Sequence, residues 1–460
     1  MVIKMKWKMI LGVLCLLLIG LPVHAEEQTY IVKFNDSMQY YSSIEKSMSD
    51  RYCSATYDEL QEYLDMGIVE FYEPDHTISM FEDYDSQVDL SQWNLSEIKV
   101  EKAWGIGCYG NEIKVGVIDS GCYLHSDLEQ NVLTGRNYTS TDVTDTTDNI
   151  GHGTYVSGII AAECNDAYMT GIAHQAKIVP LKCFDTNVET TTLMISNAIY
   201  DAIDIYNCDV INLSLGIPES LITKTLELSV KYAIQNGCIV VAAVGNKGNS
   251  KVYYPANYDN VIGVGSVGKN NTLSWFSQRN NTVDVVAPGE AIESVSIDGY
   301  LMDSGTSFSA PHISAIAAIA KCINKDITPQ EFEDILKQTS FLDDNIDETV
   351  KSYYGYGLID CKKIIDEMLK DTLYFISPIT NKTAKIYNNS DSYLSAIGLV
   401  ASYDSERFAN IIPYDIKLES GEITEISYSS TNKSTKIMLW NGLNGLKPLY
   451  KAQEYRLNTN

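Results

Sequence analysis

Gly305-Thr306-Ser307-Phe308-Ser309-Ala310-Pro311-His312 opens a run that continues almost wholly apolar through Ile313, Ala315, Ile316, Ala317, Ala318, Ile319 and Ala320, and breaks first at Lys321. A helix that is apolar on nearly every side belongs in a core. Pro311 reads as part of its first turn, where a missing N–H costs nothing. Ser307 then stands at the N-terminus of a buried helix, where unpaired backbone N–H groups and the helix dipole favour negative charge. A Gly-Thr-Ser turn that does no more than cap a helix is the competing reading of this stretch.

Upstream, Lys114-Val115-Gly116-Val117-Ile118 has the length of a buried strand and ends in Asp119-Ser120-Gly121, a turn that leaves a carboxylate at the strand's C-terminal end. Gly151-His152-Gly153-Thr154 opens a helix whose small residues Ser157, Gly158, Ala161 and Ala162 let it pack closely. A strand-end Asp, a helix-start His and a helix-start Ser can serve as orienter, base and nucleophile if the fold brings them together.

With Asp209-Val210-Ile211-Asn212-Leu213-Ser214-Leu215-Gly216, Ala242-Ala243-Val244-Gly245-Asn246 and Tyr254-Pro255-Ala256 between them, these motifs make the chain resemble the subtilases, the subtilisin-like serine proteases. The likeness runs over about residues 90 to 368, with a fainter one before. It implies an endopeptidase acting on protein or peptide substrates through Asp119, His152 and Ser307. It also implies Asn246 as the side-chain donor to the oxyanion, beside the backbone N–H of Ser307. Ser214-Leu215-Gly216 would pair with an extended substrate, and Gly245 would let the backbone come close to it. A structural calcium is implied at Asp89, Asp127 and Asn165, with carbonyls of Glu163, Ala167 and Met169, oxygen ligands that suit this ion. Two residues depart from the better-known subtilisins. Lys247 stands at a pocket rim that is often acidic, and Tyr253 where many members have glycine at the pocket floor. A tyrosine turned inward would fill the primary specificity pocket, and one turned to solvent would leave it open. None of the three catalytic residue types is lost, as a purely binding protein on the same scaffold would allow, whereas a dedicated processing peptidase would keep them all.

Between these motifs, Lys114–Ile118, Lys177–Leu181, Val210–Leu213, Ile239–Ala243, Val261–Val264 and Val283–Val286 read as strands, and Thr192–Tyr206 and Leu221–Asn236 as helices. Strands so uniformly apolar predict an α/β fold with a mainly parallel sheet covered by helices on both faces. The expected organisation is a signal peptide over residues 1–25, a small α+β propeptide over 26–85, a catalytic domain over 86–370 and an all-β sandwich-like domain over 371–460. Lys4, Lys6 and Lys8, the apolar run Met9–Leu21 and Pro22-Val23-His24-Ala25 form the signal pattern, so the product is expected to be secreted, with no integral membrane segment once the signal is removed. Its likeness to subtilase propeptides implies that this segment assists folding and then inhibits by laying its C-terminal tail in the cleft. The segment from Phe81 to Asp89 is acidic and poor in apolar residues, as a cleavable linker should be.

A formal net charge of -26 makes nucleic acid an improbable partner. Ten cysteines show no disulfide framework and no metal-ligand spacing, and those in apolar runs, such as Cys238, read as small buried hydrophobes. His125, His174 and His312 read as loop or helix-cap residues.

Overall fold

The computed structural model describes residues 28–34, 52–79, 92–165, 169–186, 188–342, 346–370, 372–375, 383–390, 392–404, 407–427, 434–440 and 448–456. The signal segment and the linker from Phe81 to Asp89 lie outside them. Contacts divide the chain into two units, Met1–His76 and Thr77–Asn460.

In the first unit β1 (Tyr30–Phe34) pairs antiparallel with both β2 (Cys53–Ala55) and β3 (Val69–Pro74). The helix Tyr57–Asp65 starts at a reciprocal cap between Thr56 and Glu59. Ile31, Val32 and Leu60 are buried. This is a small α+β module of three strands and one helix, the class expected here.

In the second unit β4 (Thr77–Ser79) pairs antiparallel with β8 (Glu189–Thr191). Seven strands form the main sheet in the order β14-β13-β11-β9-β5-β7-β6, and every neighbouring pair is parallel. They are β5 (Lys114–Asp119), β6 (Arg136–Asn137), β7 (Lys177–Lys182), β9 (Val210–Leu213), β11 (Ile239–Ala243), β13 (Val261–Val267) and β14 (Val285–Pro288). All six expected strands are present, the last of them two residues later than its apolar run suggested, while β6 was too short to be read. The chain goes from β5 to the edge strand β6, fills the place between them with β7, then crosses to β9 on the other side of β5 and continues that way. Strand order therefore reverses between β5 and β9, and in open parallel sheets ligands bind in the crevice beyond the carboxyl ends at such a point. Helices Thr192–Asp204 and Lys224–Gln235 begin on the side-chain caps of Thr191 and Thr223; the second starts three residues later than the expected Leu221, which instead ends a separate single turn, Glu219–Leu221.

The helix Thr306–Ile323 runs through the core and is buried from Thr306 to Cys322. Pro311 is its sixth residue, so it lies in the second turn and not the first. It cannot donate to the carbonyl of Ser307, one helical turn back. The Ser214 hydroxyl takes that carbonyl instead, at 2.7 Å. Lys321, which interrupts the apolar run, is also buried, and its ammonium donates to the carbonyls of Gly237, Lys325 and Ile327.

His312 lies in the same core, with Nδ1 on the Phe308 carbonyl at 2.8 Å and Nε2 against Asn94 Nδ2 at 2.9 Å. The carbonyl only accepts, so Nδ1 carries the proton and Nε2 accepts from the amide. Burial pushes the imidazole down from 6.5 to about 4, against a smaller opposing effect of the Phe308 carbonyl. The unfolded chain then binds more protons than the folded one between these values, so stability should fall as pH drops from about 6.5 to about 4. The difference is worth up to about 3 kcal/mol. Urea unfolding at pH 7, 5 and 4 checks this: His312→Gln is expected to lose less stability across that window than the wild type, whatever its stability at pH 7.

Beyond the helix Cys361–Met368, β17 (Leu373–Phe375), β18 (Thr383–Asn388) and β21 (Ile423–Ser427) form one antiparallel sheet. β19 (Leu394–Asp404), β20 (Arg407–Leu418), β22 (Ser434–Trp440) and β23 (Pro448–Arg456) form a second. Leu373, Ala384, Ile386, Ile437 and Leu439 belong to the same buried cluster as Val115, Ile239 and Phe308. Lys102 bridges the junction, 3.4 Å from Asp366 and 5.7 Å over the Tyr387 ring.

Among the described residues no helix is long and apolar enough to cross a membrane. Apart from the exposed Cys164, the described cysteines are buried, and burial raises the thiols of Cys122 and Cys208 to about 12. Thiols in that state behave as small hydrophobes, the reading given for Cys238, which is buried too.

Candidate active site

Asp119 is the last residue of β5, and its Oδ1 accepts the Ser120 N–H at 2.7 Å and pairs with His152 Nδ1 at 2.8 Å. An ionised carboxylate only accepts, so His152 carries its proton on Nδ1 and leaves the Nε2 lone pair as a base. His152 is the first residue of the helix His152–Ala161. Asp148, buried beside it, sets where that helix begins. Its Oδ1 accepts from Ile150 N and Gly151 N, and its Oδ2 from Thr154 N and Thr154 Oγ1, all within 2.7 to 2.9 Å. Gly153 allows the close approach to Asp119, since a Cβ there would lie 2.2 Å from the Gly121 carbonyl oxygen. Asp148 was not singled out in the sequence, although an Asp just ahead of a helix start is a legible capping signal.

Ser307 is the second residue of the central helix, fully buried, with its hydroxyl donating to the Ser214 carbonyl at a long 3.5 Å. The next residue, Phe308, places its ring 5.7 Å from the His152 ring and 4.5 Å from that of Tyr155. Asn212 Nδ2 donates to Ser214 Oγ at 2.9 Å, and Ser314 Oγ donates to Asn212 Oδ1 at 2.8 Å. A buried polar chain thus ties β9 and the segment Ser214-Leu215-Gly216 to the start of the central helix.

Asn246 follows β11, beyond the carboxyl end of the same sheet. Its Oδ1 accepts from Thr306 N at 2.8 Å and from Thr306 Oγ1 at 2.7 Å. With the oxygen held in this way, the amide NH2 faces the opposite direction, as a donor. Thr306 Oγ1 also accepts the Gly245 N–H at 3.2 Å. Gly245 has φ +107°, a conformation that glycine reaches without strain. Thr306 thus sets the direction of the amide, a role invisible in the sequence because it depends on two segments meeting.

β10 (Ile217–Pro218), just past Gly216, pairs with β12 (Tyr253–Tyr254). Tyr253 is half-buried and packs against the main core cluster, whereas Lys247 is exposed and its N–H donates to Gln278 Oε1 at 3.0 Å. Across the β4–β8 ladder Ile78 faces Thr190, and both are buried.

Of the implied calcium ligands, Asp89 and Ala167 lie outside the described residues. Asp127 and Asn165 do meet: Asn165 Nδ2 donates to Asp127 Oδ1 at 3.1 Å, and Tyr300 OH to Asp127 Oδ2 at 2.6 Å. The Asp127 carboxylate is satisfied by these donors. Among the described residues no three His, Cys, Asp or Glu side chains converge as a metal site. Asn165 would have to turn its amide oxygen inward to serve an ion. His125, His174 and His312 stand apart from Asp119: His125 and His174 stack on Tyr300 and Tyr109, and His312 is a core residue rather than a cap.

Residues 110–357 match the model of the subtilase family of peptidases. The chain is 36% identical over 299 residues to the thermophilic serine proteinase of Bacillus sp. (strain AK1), covering 64% of this chain and 72% of that one. It is 33% identical over 356 residues to subtilisin E of Bacillus subtilis (strain 168), covering 73% of this chain and 89% of the relative. Among solved structures it resembles a protease of Pseudoalteromonas arctica PAMC 21717, with a TM-score of 0.55 and 27% identity over 62% of this chain and 99% of the other. A matched domain with its seven-stranded parallel sheet, and relatives over most of whose length the likeness extends, establish that the chain belongs to the subtilase family.

Proposed function

We propose that this protein is a secreted serine endopeptidase made as a self-processing zymogen, with Asp119, His152 and Ser307 as its catalytic triad. The observation that carries the reading is the Asp119–His152 pair, which fixes the imidazole tautomer at the crevice where Ser307 opens the central helix. In this mechanism His152 Nε2 takes the Ser307 Oγ proton as that oxygen bonds to the scissile carbonyl carbon. The negative oxygen is stabilised by the Asn246 NH2 and the Ser307 N–H. His152 then passes the proton to the leaving amine as the C–N bond breaks, and a water attacks the acyl-enzyme by the same route. Asp119 stabilises the transient imidazolium.

Residues 1–25 act here as the export signal, 26–85 as the propeptide, 86–370 as the catalytic domain and 371–460 as an appended β domain. Zymogen character draws support from the β4–β8 ladder, in which a strand ahead of the linker is already paired within the larger unit. Purified mature protein should hydrolyse peptides and be labelled by an active-site serine phosphonate; failure of both would remove the peptidase reading. A dedicated processing peptidase is the second reading, favoured by the half-buried Tyr253. On this view cleavage after Phe, Tyr, Lys or Arg is weak, and small or acidic residues before the bond are preferred. Exposed Lys247 contributes only severalfold.

Calcium at Asp127 and Asn165, with Asp89 and the carbonyls of Glu163, Ala167 and Met169, belongs to the same proposal. An ion held only by the folded chain should raise the melting point, with about 2.7 kcal/mol gained at a hundredfold excess over Kd. Asp127→Ala should lose most of that gain. A melting point indifferent to chelator would remove calcium from the scheme.

A further inference from the structure

In the proposed mechanism Ser214-Leu215-Gly216, Asn246 and Tyr253 hold the acyl part of a substrate. None of them lines a cavity of about 380 Å³ whose wall includes His152 and Phe308, the residue after Ser307. Much of that wall is the hairpin of β15 (Ile292–Ser296) and β16 (Gly299–Asp303). Tyr155, one turn along the helix that begins at His152, fixes the hairpin, its hydroxyl donating to the carbonyls of Ile292 and Leu301. The cavity is therefore built on the element that carries the base.

Its chemistry is divided. Ile150, Ile297 and Leu301 supply apolar wall, and Asp298 and Asp303 supply two carboxylates; neither lysine nor arginine lines it. Asp303 Oδ1 accepts the Ser304 N–H at 2.7 Å, which directs that carboxylate from the backbone. An apolar wall ending in carboxylates suits a side chain with an aliphatic stem and a cationic head. Because His152 must deliver its proton to the departing amine, the space beside it is where the residues after the scissile bond lie.

Resting on the peptidase reading above, we infer that Asp298 and Asp303 make this a leaving-group pocket selective for lysine or arginine just after the scissile bond. The carboxylates act on a partly exposed cation, so the effect is moderate and depends on salt. Such charge complementarity serves discrimination more than raw affinity.

The test measures kcat/KM on internally quenched peptides that differ only at the first residue after the scissile bond, with Lys, Ala or Glu there. The Lys:Glu ratio is expected to exceed about tenfold at low ionic strength and to shrink severalfold in 0.5 M salt. Asp298→Asn combined with Asp303→Asn, which keeps the oxygen that the Ser304 N–H needs, should bring the ratio within about threefold. Asp298→Asn alone, at an exposed position, should lower it partway. A wild-type ratio near one overturns the inference. So does a ratio the double variant leaves intact, including the case where all peptides slow together because the carboxylates act only through His152. Turnover and phosphonate labelling without the ratio would sink this inference alone, and their joint absence would sink the peptidase reading with it.

Discussion

Ser307→Ala is expected to abolish peptide hydrolysis and phosphonate labelling and to accumulate as an uncut precursor, while the wild type is cut between Phe81 and Asp89. The fall in kcat should be about a millionfold, a size known from the triad of the relative subtilisin rather than read from this site. In the proposed mechanism, removing the hydroxyl removes the atom that forms the acyl-enzyme. What remains is the orientation and oxyanion stabilisation that the rest of the site offers to water. The fold should hardly notice, since the hydrogen bond the hydroxyl makes among the described residues, to the Ser214 carbonyl, is long at 3.5 Å. The carbonyl of residue 307, which the Ser214 hydroxyl does hold firmly, survives the substitution. Unfolding free energies within about 1 kcal/mol of wild type, with N-terminal sequencing of both forms, separate loss of chemistry from loss of structure. Normal trimming of the Ser307→Ala protein in a protease-free preparation would show that the cut is made by something else.

Asn246→Asp should lower kcat by about a hundred- to thousandfold with KM little changed, the size known for the side-chain oxyanion donor of subtilisin. The choice of Asp follows from the geometry. Both Thr306 donors bind Oδ1, which Asp retains, while the outward NH2 becomes an oxygen that repels the developing charge. Replacement by Leu would leave Thr306 N and Oγ1 without their acceptor and confuse two effects. Thr306→Val should cost about tenfold in kcat by loosening the amide, and Thr306→Ser, which keeps the hydroxyl, should restore most of it. An Asn246→Asp enzyme with unchanged kcat would remove the donor role.

The main sheet was legible because its strands are covered on both faces, so unbroken apolar runs such as Ile239–Ala243 mark it without ambiguity. The residues of the candidate site were legible through their motifs, and their positions follow from strand and helix ends. The β15–β16 hairpin was not read. Its strands carry Glu293 and Ser294, polar residues that are buried, and Ser294 satisfies itself on the Tyr155 carbonyl at 2.6 Å, so no clean alternation shows. Pro311 falls in the second turn because the helix already begins at Thr306, and Ser214 supplies the hydrogen bond that Pro311 cannot give the Ser307 carbonyl. Asp148 and Thr306 act on partners brought near only by folding.

The buried cluster that unites Val115 with Ile437 and Leu439 has a consequence in time. A chain made from its N-terminus exposes Ser307 well before Ile437 and Leu439 exist, by on the order of ten seconds at about 5–20 residues per second. During that interval every reactive side chain has been synthesised, yet the interior that aligns them lacks its last strands. Nascent chains halted after Lys370 should accordingly remain open to an added protease, and full-length chains should close against it.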